Sequence, residues 1–150
     1  MIRKYQNSDL ENIMDIWYDA QTIAHPFLKK DFVDKVKVMM MDMFIPNSKT
    51  WVYEKGDTLV GFIAMMDNEI GGLFICPDAQ SKGIGTSLLK YMNNYYKTLE
   101  VEVFDENKIG KPFYLKQGFK PITEYVHKET QQKVLRMHYS FPVQSHKEKP

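Results

Sequence analysis

The chain has 150 residues, and 20 Lys and Arg stand against 19 Asp and Glu, for a formal net charge of +1. Hydrophobic residues make up 43% and charged residues 26%, which excludes a disordered chain. The near-neutral balance gives no general pull towards nucleic acid or an anionic membrane, so neither is expected as a partner.

Cys76 is the only cysteine, so no intrachain disulfide and no cysteine-built zinc site can form. His25, His127, His138 and His146 show no metal-ligand spacing, and no metal is expected. The polar stretch from Met1 to Glu11 does not read as a secretory leader, and the apolar run Leu59 to Met66 is too short to span a bilayer. A cytoplasmic protein is expected, with one domain over residues 1–143 and a loose polar tail over 144–150.

In chain order, Ile2 to Tyr5 reads as a strand. Ser8 and Glu11 have the spacing of a capping box, and Leu10, Ile13, Met14 and Trp17 follow with helical periodicity. His25-Pro26 ends that helix, because the residue before proline disfavours helical angles. A second helix is expected from Leu28 to Phe44, burying Leu28, Phe32, Val36, Met39, Met40 and Met43 along one face, until Pro46 and Asn47 stop it. Thr50 to Glu54 and Thr58 to Met66 are strands around the turn Lys55-Gly56-Asp57. A third strand of this group runs from Ile70 to Cys76. Its Gly71-Gly72 pair predicts a bulge or a close backbone approach.

A helix opens near Gly85 with Leu88, Leu89, Met92 and Tyr96 on one face. Leu99 to Phe104 alternates as a strand, with Val101 and Val103 facing one way and Glu100 and Glu102 the other. Asn107 can cap a short helix that Gly118 ends, and Pro112 falls in its tolerant first turns. Phe119 to Val126 and Val134 to Phe141 are the last strands. The order β-α-α-β-β-β-α-β-α-β-β predicts a mixed α/β fold: a largely antiparallel sheet with helices on both faces.

The chemistry concentrates in two places. From Ile75 to Thr86 a strand runs into a glycine-bearing turn that opens a helix. Free N–H groups and the helix dipole favour an anion there; Gly83 and Gly85 leave room for a bulky one, and Lys82 adds a cation. A phosphate or pyrophosphate fits best. Gly83-Ile84-Gly85-Thr86-Ser87-Leu88 lacks the third glycine of a dinucleotide fingerprint, and no P-loop lysine motif exists, so a generic nucleotide-binding domain is disfavoured. The second place is Asn107 to Phe119, where a capped helix carries Tyr114 and ends at a glycine.

Together these stretches resemble the GNAT (GCN5-related N-acetyltransferase) superfamily. Gln80 to Gly85 matches its [RQ]-x-x-G-x-[GA] motif after the fourth strand. Asn107 to Phe119 matches N-x-x-A-x-x-F-Y-x-x-x-G-F after the fifth, with Gly110 in place of alanine. Ala24-His25-Pro26-Phe27 resembles a small single-domain bacterial branch, some of which are thought to acetylate protein lysines. The resemblance implies acetyl-CoA lying where the fourth and fifth strands part. Backbone groups of Leu73, Phe74 and Ile75 would bond the pantetheine arm as an added strand, and Ser81, Lys82, Gly83, Ile84, Gly85 and Thr86 would hold the pyrophosphate. Asn107 would contact the arm from the other side, and Tyr114 would sit beside the sulfur.

The reaction implied is direct attack of an amine on the thioester. A lysine-like amine has a pKa near 10.4 and must lose a proton first, whereas a tyrosine near 10 keeps its proton and can serve the leaving thiolate. Tyr114 is therefore the expected general acid. The base is open between Glu102, Glu69, His25 and a water chain. The acceptor is a protein lysine, a peptide or a small amine, and the protein a monomer or homodimer. The rival reading is a non-catalytic acyl-CoA-binding regulatory module.

Overall fold

A computed structural model describes residues 1–143; the tail expected from 144 onwards lies outside the described residues. Seven strands form one sheet in the order β1-β2-β3-β4-β5-β7-β6. They are β1 (Ile2–Lys4), β2 (Lys49–Lys55), β3 (Thr58–Met66), β4 (Glu69–Ile75), β5 (Thr98–Phe104), β6 (Lys120–Val126) and β7 (Lys133–Ser140). Every neighbouring pair is antiparallel except β4 and β5. The main helices are α1 (Leu10–Ala24), α2 (Lys30–Met39), α3 (Ile84–Tyr91) and α4 (Gly110–Gln117).

Strand alternation separates two cores. Val52, Phe62 and Ala64 pack against α1 and the α2 region through Ile13, Ile16, Trp17, Val33 and Met40. The intervening Trp51, Ile63 and Met65 face the opposite side, with Leu88, Leu89 and Met92 of the α3 region and Val101 and Val103 of β5. Helices thus cover both faces of the sheet, as the element order predicts.

Two local expectations are corrected. The first helix is preceded by a 3-10 turn over Asn7–Asp9, so the Ser8–Glu11 box does not form. The residue at work is Asp9, whose carboxylate accepts from the Gln6 N–H at 2.8 Å and from the Arg3 guanidinium at 2.9 and 3.0 Å. Charge-assisted bonds to a buried carboxylate outweigh what a surface serine offers.

The second correction concerns the next helical stretch. It begins at Lys30, widens into a π-helical turn over Met40–Phe44, and continues through Pro46 to Asn47. A proline ring removes one donor and crowds the carbonyl four residues earlier, and the wide turn just before Pro46 accommodates both. Val33 and Met40 are buried, while Met39, still in the regular helix, is 51% exposed and Met43, past the change of pitch, is 63% exposed.

The same turn presents Phe44 to Gly71, where an added Cβ would lie 2.0 Å from the ring. The β3–β4 register slips between Ala64 and Met65, opposite the Gly71 region, so the expected bulge is present, while the group that approaches Gly71 closely is a side-chain ring rather than another backbone. Phe62, fully buried on this face and tilted against Phe74 at 5.8 Å, carries much of the packing. Phe62→Ala is expected to lower unfolding free energy by about 3–5 kcal/mol in a denaturant titration.

Candidate active site

β4 and β5 pair only at Glu69↔Glu100 and Ile70↔Val101 and then part. β4 stays paired to β3 as far as Ile75, and β5 to β7 as far as Phe104. The inner backbone edges of Leu73 to Ile75 and Glu102 to Phe104 therefore have no sheet partner. A cleft of about 750 Å³ occupies the gap and runs from the turn before α3 to the face of α1 and α2.

One end of the cleft is the turn. Ser81 and Gly83 both have positive φ, 64° and 84°, the left-handed backbone from which main-chain anion-binding concavities are built. Among the described residues no acceptor receives the N–H groups of residues 81–86; the first bond of α3 is Ser87 N–H to the Gly83 carbonyl, 2.9 Å. Gln80 ties the turn to β4 by donating to the Ile75 carbonyl at 3.1 Å. Thr86 Oγ1 accepts from Gln117 at 2.9 Å, and Gly85 lets the Phe113 ring approach to 3.2 Å from where a Cβ would be. Ser81, Gly83, Ile84, Gly85 and Thr86 line the cleft. Lys82 does not: its exposed side chain borders a separate groove with Tyr53, Glu54 and Lys55. The turn's contribution is main-chain donors rather than a lysine cation.

Such a row of unsatisfied donors beside an open strand edge suits a diphosphate followed by an amide-bearing arm. Tyr114 fits the same picture. It lies on α4, is 7% exposed, lines the cleft, and its hydroxyl has no hydrogen-bond partner among the described residues. Burial pushes its phenol well above the ordinary range, so it carries its proton at neutral pH. Phe113 and Phe119 hold its ring edge-on at 5.3 and 5.1 Å.

The three candidate bases differ in place. Glu102 lines the cleft, accepts from Tyr125 Oη at 2.8 Å and lies 3.2 Å from Arg136. Glu69 is outside the cleft lining and takes both Nη atoms of Arg136, at 3.1 and 3.3 Å. Arg136 also donates through Nε to Glu100 at 3.1 Å, and His138 closes on the same carboxylate. His25 lies in the loop between α1 and α2, where its Nε2 meets Asn107 Nδ2 at 3.2 Å. Burial lowers its pKa to about 4, so it is neutral in the physiological range. Cys76 is half-buried, and burial raises its thiol pKa, which suits an inert filler.

Sequence reasoning missed Arg136 and Tyr125, which reach Glu102 only through strand pairing, and Trp17, Gln21 and Val33, which line the α1–α2 end. The helical face of α1 marks Trp17 as buried but does not say that a cleft lies over it.

The family described as "Acetyltransferase (GNAT) domain" matches residues 14–141. The chain belongs to the GNAT acetyltransferase family. It is 32% identical over 120 residues to the peptidyl-lysine N-acetyltransferase YiaC of Escherichia coli (strain K12), covering 79% of this chain and 82% of that one. Its fold superposes on the solution structure of apo-form YjaB from Escherichia coli with a TM-score of 0.82 at 25% identity, covering 93% and 96% of the two chains. The PaiA N-acetyltransferase of Thermoplasma acidophilum, solved with coenzyme A, shares the fold at a TM-score of 0.74 and 19% identity, over 93% and 98%. The GNAT chain is an acetyl-CoA-dependent N-acetyltransferase, which sets aside the non-catalytic reading. Among the described residues, no helix is long and apolar enough to cross a membrane.

The partly buried His25 makes a pH prediction. Its pKa falls from 6.5 unfolded to about 4 folded, so between those values the unfolded chain binds a proton that the folded chain does not. Its contribution is intact above pH 6.5 and is lost as pH falls towards 4, by on the order of 3 kcal/mol. Thermal melts across pH 4–7 are expected to fall more steeply for wild type than for His25→Gln.

Proposed function

We propose that the acceptor is the ε-amine of a lysine presented by a protein or peptide. The observation that carries this reading is the charge beside the cleft. Glu69, Glu100 and Glu102 share one guanidinium, Arg136, so negative charge exceeds positive where the amine must arrive. A surplus of carboxylates draws a cationic acceptor and repels an acidic one. The names of the similar proteins, peptidyl-lysine N-acetyltransferases, support the same class.

In this reading the pantetheine arm lies along the free edge of Leu73, Phe74 and Ile75, with Asn107 on the far side. The amides of residues 81–86 receive the pyrophosphate. Glu102, a carboxylate inside the cleft lining, takes the proton from the incoming ammonium directly or through a water. The freed amine attacks the thioester carbonyl, the C–S bond breaks, and an amide and a thiolate result. Tyr114 donates a hydrogen bond to that thiolate. A phenol with so raised a pKa stabilises the departing sulfur without giving up its proton, because full transfer to a thiol near 8.5 is uphill. The ammonium nitrogen loses two protons in all, one to Glu102 before attack and one as the amide forms; one of them neutralises the thiolate and the other passes to solvent.

Three measurements test this. Gly83→Glu puts a carboxylate into the phosphate space at a left-handed position and is expected to abolish acetyl-CoA binding in calorimetry; wild-type affinity would refute the site. Tyr114→Phe and Glu102→Gln are each expected to lower kcat by about 10²-fold while leaving acetyl-CoA affinity within about threefold. Offered lysine peptides and small amines together, the enzyme is expected to leave acetyl groups on peptide lysines by mass spectrometry. Acetylated small amines with no acetylated peptide would overturn the acceptor class.

A further inference from the structure

His25 stands apart from the chemistry just described, yet it makes the side-chain hydrogen bond that joins the α1–α2 loop to the loop between β5 and α4. The orientation of Asn107 fixes what that bond is. Asn107 Oδ1 accepts from Ile109 N–H at 3.0 Å and from Gly110 N–H at 2.7 Å, which caps α4 and identifies the oxygen end of the carboxamide. The end facing His25 is therefore the NH₂. It donates, so His25 Nε2 carries the lone pair and Nδ1 carries the proton. A lone pair spent in this way is not free to take a proton from an amine.

The ring is held in place by packing. Phe104 and Phe27 meet it edge-on, with centroids at 5.2 and 5.8 Å, and these two rings meet each other at 5.5 Å. Asn107 itself is only 7% exposed and lines the cleft on its β5 side.

Gly110 supplies a second, independent observation. This is the position where the family pattern has alanine. A Cβ here would lie 2.5 Å from Asn107 Nδ2 and 3.1 Å from its Cγ, with Val103 closing the other side at 3.3 Å. An alanine would push the carboxamide off its line to His25. Histidine at 25 and glycine at 110 are thus matched: one holds the Asn107 amide, and the other leaves the room it needs.

We propose that His25 is a positioning residue for acetyl-CoA: it accepts one Nδ2 hydrogen of Asn107 and so directs the other into the cleft, as a donor for an amide carbonyl of the pantetheine arm. The proposal rests on the arm lying against Asn107, as in the preceding section. It assigns the α1–α2 loop, which borders the acceptor side, a part in holding the cofactor.

Calorimetry of the full chain with acetyl-CoA tests it, beside steady-state kinetics. His25→Ala and Gly110→Ala are each expected to weaken acetyl-CoA binding about tenfold, the worth of one hydrogen bond. Their double variant is expected to be no weaker than either alone, because both remove the same contact. His25→Gln, whose side-chain oxygen can accept, restores affinity to within about threefold of wild type. KM for acetyl-CoA rises in His25→Ala, while kcat at saturation changes less than threefold. Wild-type affinity in His25→Ala, alongside a loss in Asn107→Ala, would overturn the positioning role but keep the arm site. Wild-type affinity in Asn107→Ala would instead overturn the arm's placement on which the proposal rests. A collapse of kcat with unchanged KM in His25→Ala would make His25 a base and sink the proposal. Gly110→Ala keeps the histidine, so the test survives if His25→Ala fails to fold.

Discussion

The structure turns on an interrupted sheet. Two strands at its centre, β4 and β5, share only two residue pairs before they diverge. Unpaired backbone N–H and C=O groups inside a protein are costly unless water or a ligand satisfies them, so a gap in mid-sheet must be held open by something stronger. Here each strand is anchored on its outer side, β4 by β3 and β5 by β7, and the two faces carry separate cores. The slip in the β3–β4 register, with Phe44 seated on Gly71, falls just where pairing with β5 ceases. A bulge bends and twists its strand locally, which is the distortion that parts β4 from its neighbour. The cleft is thus the place where two well-made half-sheets fail to meet, and its walls are main-chain groups already in extended conformation. That suits a chain-like ligand carrying amides.

Charge is distributed across this gap unevenly. The turn before α3 offers only main-chain donors, Lys82 having swung to another groove, and α3 begins there with its dipole. The β5–β7 side offers carboxylates. Glu69 and Glu100 sit opposite each other on adjacent strands, an arrangement that repels unless a cation intervenes, and Arg136 intervenes. The guanidinium is planar with several donors in fixed directions, and it serves three carboxylates at once. One end of the cleft is thereby suited to anions and the other to cations.

How much of this the sequence discloses follows from the range of each interaction. The features that read correctly are local. Gly83 and Gly118, at φ of 84° and 103°, stand where only glycine is comfortable, and Asn107 caps the helix three residues on. The order of elements and the inward alternation of Val101 and Val103 are equally short-range. What reads incorrectly is either a competition between neighbours, as where Asp9 rather than Ser8 governs the start of α1, or a change of helical pitch that periodicity assumes constant. The exposed Met43, within the π-helical turn, is the mark of that change. What does not read at all is the company Glu102 keeps. Arg136 lies 34 residues away in sequence and reaches it only through the β5–β7 register. The substitution of glycine for alanine at 110 is visible as a departure from pattern, but its reason, the space taken by the Asn107 carboxamide, exists only in three dimensions.

Tyr114 and Glu102, the residues proposed to keep and to take a proton, occupy opposite kinds of environment, and the fold makes that unavoidable. Val101 and Val103 point to the α3–α4 core, so the residues between them must point the other way, towards the polar cluster. Tyr114 belongs to the first side: packed between Phe113 and Phe119, its hydroxyl has no hydrogen-bond partner among the described residues, and burial makes it hold its proton tightly. Glu102 belongs to the second, with Tyr125 and Arg136 for company. Acyl transfer to an amine requires one group that retains a proton and another that accepts one, and a single strand with period-two alternation supplies both environments across its thickness. A slip of one residue in the β5–β7 register would turn the valines out and the glutamates in, and would cost the core and the chemistry together. The seven continuous pairs from Thr98↔Ser140 to Phe104↔Val134 guard against it.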